Sequence, residues 1–283
     1  MRVFVAGATG AVGRLLVPLL LADGHEVTGT SRAEAGARGL ARQGAIGVRV
    51  DAHDRAALAA AVRDAAPEVV LHQLTALAEA NLSDNARIRR EGTRNLVDAA
   101  KAAGVRRLVV QSISWAYEPG DVPASEDVPL DLSADAPRDE TVGGVHALET
   151  RAAEVSEHVV LRYGTFYGPG TWYRPGGRVG GQFEGSGFTA TDAVTSFVHV
   201  EDAALAAVAA LHWPTGTYNI VDDEPAPARA WAPVFAQVLG VPQPAVAEGR
   251  AGWQRGADNT LSRMKLGWQP KYPTWREGFA TLS

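Results

Sequence analysis

The 283-residue chain has no cysteine, and its lysines are few: Lys101, Lys265 and Lys271. The absence of cysteine excludes disulfides, cysteine-ligated metals and thiol nucleophiles, and we expect no metal site. No apolar run is long enough to span a bilayer, and the net charge of −5 argues against nucleic acid or an anionic membrane as a partner. A strand-like segment begins at Arg2, which leaves no room for a signal peptide. We therefore expect a cytoplasmic protein.

Three glycines follow the first apolar segment and are the most informative feature of the chain. Val3–Val5 has the pattern of a buried strand, and a helical pattern begins at Val12. Glycines between a strand and a helix let the backbone turn tightly, so that the helix N-terminus points its free N–H groups at a phosphate. We expect this loop to bind a dinucleotide through Gly7, Thr9, Gly10, Ala11, Val12 and Gly13.

Short apolar segments alternate with helical patterns as far as Tyr163. The strand-like segments are Val3–Ala6, Glu26–Thr30, Ile46–Val50, Val69–Leu74, Arg107–Gln111 and Val159–Tyr163. The helical patterns are Val12–Ala22, Ala33–Gln43, Arg55–Ala65, Asn85–Ala103 and Gly144–Glu157. This alternation predicts an α/β fold with a doubly wound parallel sheet, which binds its ligand beyond the carboxyl ends of the strands.

The alternation breaks after Tyr163. Residues 164–192 are rich in glycine and carry the aromatic residues Tyr167, Trp172, Tyr173, Phe183 and Phe188, a composition that we interpret as a substrate lid. Farther on, Ser196–Val200 and Thr217–Val221 have strand patterns, whereas Glu201–Leu211 is helical. In the tail that follows, we expect one helix near Ala230–Leu239.

The end of the second strand bears on the choice of cofactor. An acidic residue there would bind the ribose 2′-hydroxyl of NAD, but the chain has Ser31 and Arg32. A hydroxyl and a guanidinium suit a 2′-phosphate, so we expect NADP. The competing interpretation is an ordinary surface arginine.

Two further strand ends complete the expected cofactor site. Asp51, followed by Ala52, can accept a hydrogen bond from the adenine amino group. It could instead cap the next helix, a role that Asp54 fills at least as well. After the fourth strand, the small segment Leu74, Thr75 and Ala76 is expected to pass beside the ribose and nicotinamide.

Seven motifs together resemble the extended short-chain dehydrogenase/reductase family, the NAD(P)-dependent epimerase/dehydratase group, over nearly the full length. They are Gly7–Gly13, Asp51, Glu91–Leu96, Leu161–Gly170, Phe197–Ala203, Gly216–Ile220 and Leu266–Trp268. The resemblance implies a Rossmann domain of residues 1–164 and 198–223. It also implies a smaller C-terminal substrate-binding domain of residues 165–197 and 224–283. It adds to the expected cofactor site Ser112, Tyr163, Gly164, Phe166 and His199.

The chain departs from that family at its acid/base pair. Family members use Tyr-x-x-x-Lys, and the chain has no such motif. One register places Thr141 and Val145 in the two positions, and a second places His146 and Thr150 there. We prefer the first, because Leu148-Glu149 then falls where the family keeps its helix glutamate.

Two other family positions are also altered. Counting back from Tyr117 puts Ile113 in the catalytic serine position, and Arg89 takes the position of an asparagine. The candidates for proton chemistry are Ser112, Ser114, Thr141 and His146. The two serines share a face of the strand and could bond a substrate oxygen, or they could bond their own backbone. His146 could donate a proton near neutral pH or point to solvent.

Three functions fit this pattern. The first is an NADPH-dependent ketoreductase acting on an aromatic polyketide or quinone-like ketone, with a neighbouring phenol of the substrate stabilising the alkoxide. The second is a non-catalytic NADP-binding sensor. The third and weakest is a sugar-nucleotide epimerase or dehydratase, since those reactions need the base that the tyrosine supplies. We expect a monomer, or a homodimer formed through the helices Asn85–Ala103 and Gly144–Glu157.

Overall fold

The structure, a computed structural model, describes residues 1–77, 81–185 and 187–282. The β-strands are β1 (Arg2–Ala6), β2 (Glu26–Ser31), β3 (Ile46–Arg49), β4 (Val69–His72), β5 (Arg107–Ile113), β6 (Glu157–Tyr163), β7 (Thr165–Tyr167), β8 (Thr189–Ala190), β9 (Val194–Thr195), β10 (Phe197–His199), β11 (Gly216–Ile220), β12 (Ala226–Pro227) and β13 (Ala245–Val246). The α-helices are α1 (Gly13–Ala22), α2 (Glu34–Arg42), α3 (Arg55–Ala65), α4 (Leu82–Arg87), α5 (Thr93–Ala102), α6 (Arg138–Ala152), α7 (Arg178–Glu184), α8 (Val200–Ala209), α9 (Ala228–Leu239), α10 (Thr260–Leu266) and α11 (Trp275–Phe279). A π-helical turn, Ile88–Gly92, joins α4 to α5.

Seven strands form one sheet in the order β11-β6-β5-β4-β1-β2-β3. The central strand β1 pairs in parallel with β2 on one side and β4 on the other, so that Val5 lies opposite Gly29 and Leu71. The pairs β2–β3 and β4–β5 are also parallel. Helices flank the sheet, and the doubly wound Rossmann fold predicted from the alternation is confirmed.

The apolar segments form these strands because both faces of the sheet are covered. Phe4 and Val5 of β1 and Val70 and Leu71 of β4 are fully buried. Such strands read as continuous apolar runs rather than as alternating ones. Helix α3 begins where the Asp54 side chain accepts a hydrogen bond from the Ala57 N–H at 3.0 Å, so Asp54 is the cap of this helix.

The chain divides into two compact units. Unit 1 contains the described residues of Met1–Ser112, Leu132–Leu161 and Ala204–Thr217, and unit 2 those of Ile113–Asp131, Arg162–Ala203 and Tyr218–Ser283. Each unit has its own apolar core. The division into a cofactor domain and a substrate domain, with the ranges given above, remains a prediction.

Two predicted helices have different bounds in the structure. The helix expected over Gly144–Glu157 is α6, which begins at Arg138, because Pro137 precedes it and Asp139 and Glu140 favour the positive N-terminal end. It ends at Ala152, so Glu157 belongs to β6. The helix expected over Asn85–Ala103 begins earlier, at α4, where the Asn81 side chain accepts from the N–H groups of Ser83 and Asp84.

The substrate lid predicted for residues 164–192 is wrong. Tyr167 and Phe183 are buried, and Trp172, Tyr173 and Phe188 pack against the same core of unit 2. Phe183 stacks on Phe188 with ring centroids 4.4 Å apart. Composition alone could not separate the two cases, since aromatic rings cover a ligand and fill a core by the same apolar burial.

The tail also differs from its prediction. It contains α10 and α11 in addition to α9, where one helix was expected. Both additional helices are short, and seven or fewer residues give little periodicity to detect. None of the helices in the described ranges has the length and apolar character needed to cross a membrane.

We predict that Phe183→Ala lowers the free energy of unfolding by about 3–5 kcal/mol, because it leaves a cavity among packed aromatic rings. The measurement is chemical denaturation followed by far-ultraviolet circular dichroism. Met264→Ala is the matched control in the same unit, since Met264 is 82% exposed, and we expect it to change stability by no more than about 0.5 kcal/mol. Unchanged stability in Phe183→Ala would restore the lid interpretation.

Candidate functional site

The loop after β1 is held by backbone contacts that only glycine permits. Gly7 has a φ of 89°, and a Cβ atom there would lie 2.5 Å from the Gln73 carbonyl oxygen. A Cβ at Gly13 would collide with the Gly7 carbonyl and with Ala8. The Gly10 N–H donates to the Gly7 carbonyl at 3.0 Å. The loop is therefore compact, with Thr9 and Gly10 exposed at its tip.

Helix α1 begins in this loop with an N-terminus that is open to an anion. No side chain caps it, and its first turn contains no acidic residue. The N–H groups of an uncapped first turn carry partial positive charge and need acceptors. A diphosphate supplies such acceptors, so the loop fits the phosphates of a dinucleotide.

The segment after β4 is fixed by a buried histidine. The His72 ring bonds to the Thr93 hydroxyl at 2.7 Å, and its Nδ1 accepts from the Leu74 N–H at 3.3 Å. Burial lowers the pKa of His72 to about 4, so the ring is neutral at physiological pH. The Ala76 N–H donates to the Asn85 side chain at 3.0 Å. The backbone of the expected ribose and nicotinamide contact, Leu74–Ala76, is thus held in place at both ends.

The end of β2 presents a cluster of positive charge. Thr9, Ser31, Arg32 and Ala33 line an open depression. The Ser31 hydroxyl accepts from the Ala33 N–H at 3.2 Å, which fixes its direction, whereas Arg32 is exposed. No carboxylate in the described ranges pairs with Arg32.

Arg49, at the end of the neighbouring strand, adds a second guanidinium. It lies opposite Ser31 in the β2–β3 register, and its Nε donates to the Arg32 carbonyl at 3.4 Å. Arg49 was not among the residues predicted from the sequence. The signal was available, since it is the last residue of β3, and β3 lies beside β2 in a doubly wound sheet.

Asp51 lies exposed after β3 and does not cap α3. Its Oδ1 accepts from the His53 N–H at 2.9 Å, which shapes the turn before the helix. The buried Asn95 side chain donates to the Ala52 carbonyl at 2.9 Å and holds this loop against the neighbouring helix α5. Contact of Asp51 and Ala52 with adenine remains a prediction.

A hydroxyl–carboxylate pair lies at the end of β5. The buried Ser112 hydroxyl donates to Glu149 Oε1 of α6 at 2.7 Å. Its proton is therefore directed at a carboxylate. On α6, Thr141 and Val145 lie on the buried face, whereas His146 is exposed. The choice between the two registers, Thr141 with Val145 or His146 with Thr150, remains a prediction.

The guanidinium of Arg89 is unusual for a charged group because it is buried in unit 1. Arg89 is 3% exposed and lies in the π-helical turn Ile88–Gly92. Burial lowers its pKa to about 10, while the nearby Glu149 carboxylate opposes the shift. The guanidinium stays charged at neutral pH. It makes no hydrogen bond within the described part of the chain.

Unit 2 contains the remaining expected site residues. The Ser114 N–H donates to the Tyr163 carbonyl at 2.9 Å, and the Tyr163 hydroxyl donates to the Ala203 carbonyl at 2.9 Å. Phe166 packs on the Tyr163 ring at 5.3 Å. A Cβ at Gly164 would lie 2.6 Å from the Ser196 carbonyl oxygen, so a side chain there would displace the backbone.

His199 is buried and neutral in the same unit. Its Nδ1 accepts from the Glu201 N–H at 3.2 Å, and burial lowers its pKa to about 4. Tyr117 and Tyr167 are equally unsuited to proton transfer. The Tyr117 hydroxyl donates to Asn219 at 2.6 Å, and burial raises the pKa of Tyr167.

The comparisons with known proteins show the family and the fold of the chain. The model of the NAD dependent epimerase/dehydratase family matches residues 3–220. A Streptomyces protein named 3-diazoavenalumate denitrifying reductase is 45% identical over 311 aligned positions, which cover 98% of this chain and 99% of that protein. A UDP-glucose 4-epimerase of Mycolicibacterium smegmatis is 28% identical, covering 96% of this chain and 94% of its own.

Among solved structures, the UDP-glucose 4-epimerase of Thermus thermophilus in complex with NAD superposes with a TM-score of 0.78 at 27% identity. The match covers 100% of this chain and 97% of that chain. The chain therefore shares its fold with a protein whose structure contains bound NAD.

We predict that Arg32→Asp reverses the preference between NADPH and NADH, because it replaces a partner of the 2′-phosphate with a partner of the 2′-hydroxyl. NADPH binding should weaken about 10- to 100-fold, the range for one charge-assisted hydrogen bond. Dissociation constants for both cofactors can be measured by nicotinamide fluorescence. Arg38→Asp is the control, because this exposed arginine of α2 pairs with Glu34. Equal affinities of the unmodified protein for NADPH and NADH would contradict the assignment.

Proposed function

Because the chain belongs to the NAD dependent epimerase/dehydratase family, we propose that it is an NADPH-dependent reductase that removes a diazo group from an aromatic substrate as dinitrogen. The substrate class comes from the 45% identical relative named as a denitrifying reductase of a diazo compound. The choice of NADPH over NADH rests on Ser31, Arg32 and Arg49 at the ends of β2 and β3.

The observation that carries the proposal is the lack of a proton donor where the family keeps one. In the preferred register, Ile113, Thr141 and Val145 take the positions of the serine, the tyrosine and the lysine. The neighbouring Ser112 hydroxyl already donates to Glu149. A reductase with this site is suited to a reaction in which the protein does not have to supply a proton.

Reductive loss of a diazo group is such a reaction. NADPH, when bound, supplies a hydrogen with its electron pair. One carbon–nitrogen bond breaks, one carbon–hydrogen bond forms, and dinitrogen leaves. The aryl diazonium cation becomes a neutral arene, so charge and atoms balance without a proton from the protein. The chain's task is then to bind and orient the two reactants.

Ketone reduction is the second candidate. It differs from diazo reduction because the alkoxide that it forms needs a proton. One observation favours it: Ser114 is buried directly after the end of β5, where ligands of such sheets bind. Its hydroxyl, with a phenol on an aromatic polyketide or quinone-like substrate, could stabilise the alkoxide. The sugar-nucleotide epimerase is not better supported, since its named relative is 28% identical against 45% for the reductase.

We predict that the protein releases dinitrogen from 4-carboxybenzenediazonium in the presence of NADPH, measured by gas chromatography together with the arene formed. The value of kcat/KM should show no titration of His72 or His199 between about pH 6 and pH 9, since both buried histidines have pKa values of about 4. The proposal would be contradicted if the protein released no dinitrogen but readily reduced aromatic ketones.

The variants Ser114→Ala and Thr141→Val separate the two candidates. For the diazo substrate we expect kcat to change by less than about threefold, because neither hydroxyl donates a proton. For a ketone we expect Ser114→Ala to lower kcat by about 100-fold or more, the ordinary contribution of general acid catalysis. Ser133→Ala is the control, since Ser133 is an exposed hydroxyl residue with no place in the expected site.

A further inference from the structure

Arg89 has an environment that the proposed reaction leaves unexplained. A guanidinium that is 3% exposed and makes no hydrogen bond within the described residues is costly, because burial removes most of its water. The Glu149 carboxylate acts on it electrostatically. The Glu149 Oε1 atom accepts from Ser112. The donors of Arg89 therefore remain for another acceptor.

The position of Arg89 indicates where that acceptor lies. His72, the last residue of β4, bonds to Thr93, which directly follows the turn that contains Arg89. Glu149, whose charge acts on Arg89, accepts from Ser112 near the end of β5. The strands β4 and β5 are parallel neighbours, and ligands of doubly wound sheets bind at their carboxyl ends. Arg89 thus lies at the ligand-binding edge of unit 1.

The local backbone supports a role in binding. Arg89 lies within a π-helical turn, Ile88–Gly92, between two α-helices. Such turns are rare, and they occur frequently at functional sites. The phosphates of the cofactor have their own donors in the loop after β1, so they do not account for a buried arginine after β4. An arginine also offers two parallel donors to a carboxylate, which a lysine cannot.

We propose that Arg89 binds an anionic oxygen of the aromatic substrate, a carboxylate or an ionised phenol, at the carboxyl ends of β4 and β5. This inference rests on the proposed function for the identity of the ligand as substrate. A negatively charged oxygen there would complete the hydrogen bonds of Arg89. It would also orient the aromatic ring relative to the segment Leu74–Ala76, whose backbone His72 and Asn85 hold in place.

The test measures binding of simple anions to the protein with NADP bound. The probes are benzoate, which carries only a carboxylate, 4-nitrophenolate, which carries only an ionised phenol, and benzamide, which carries neither. Isothermal titration should show binding of at least one anion and weaker binding of benzamide. Arg89→Gln should weaken binding of that anion about 10- to 100-fold, and Arg89→Lys should restore part of the loss. The anion that loses affinity identifies the group.

The control is Arg90→Gln, since Arg90 lies in the same turn but is exposed and donates to the Glu140 carbonyl at 3.1 Å. It should bind all three probes as the unmodified protein does. NADPH fluorescence shows that each variant is folded. The proposal fails if Arg89→Gln binds NADPH and both anions normally, or if neither anion binds the unmodified protein. Because these measurements require no turnover, an inability to reduce diazo compounds would overturn only the proposed function.

Discussion

The contact between Gly7 and the backbone of Gln73 is the constraint on which the site depends. It joins the loop after β1 to the segment after β4 at a distance that leaves no room for a side chain. Gly13 closes the same loop from the other side and starts α1 there. The N-terminus of α1 is therefore held at a fixed position relative to the ends of two strands. His72 and Thr93 then fix the segment Leu74–Ala76, and the charge of Arg89 acts on the same histidine.

Local patterns in the sequence were sufficient for the parallel sheet and the glycine loop. Buried strands such as β1 and β4 are continuous apolar runs, and the glycines stand at the spacing that a tight strand-to-helix turn needs. The role of Asp54 as a helix cap was also visible, because it immediately precedes a helical pattern. These features depend on neighbours in the chain, which a single sequence shows directly.

Features that depend on distant neighbours were not predictable. The aromatic residues between Tyr167 and Phe188 suggested a lid, and only the packing of α9 and α11 makes them a core. Arg49 reaches Arg32 because β3 pairs with β2, and this strand order depends on the folded sheet. The start of α6 at Arg138 was hidden by the glycine pair before Val145, where Gly144 allows close packing on Ala86 of α4. The lack of hydrogen bonds at Arg89 is a property of three-dimensional placement alone.

Under the proposed function, the chain can do without the tyrosine and the lysine because of the chemistry of the substrate that accepts the hydride. An aryl diazonium cation takes up a hydrogen with its electron pair and needs no proton, so a site with Thr141 and Val145 in those positions can still support reduction. The central claim is that no proton transfer limits the reaction. The solvent isotope effect on a single turnover of the NADPH complex with an aryl diazonium compound tests it most directly. We predict a rate in D₂O equal to that in H₂O, together with slower turnover when the transferred hydrogen of the nicotinamide is deuterium. A rate that falls severalfold in D₂O would contradict the claim.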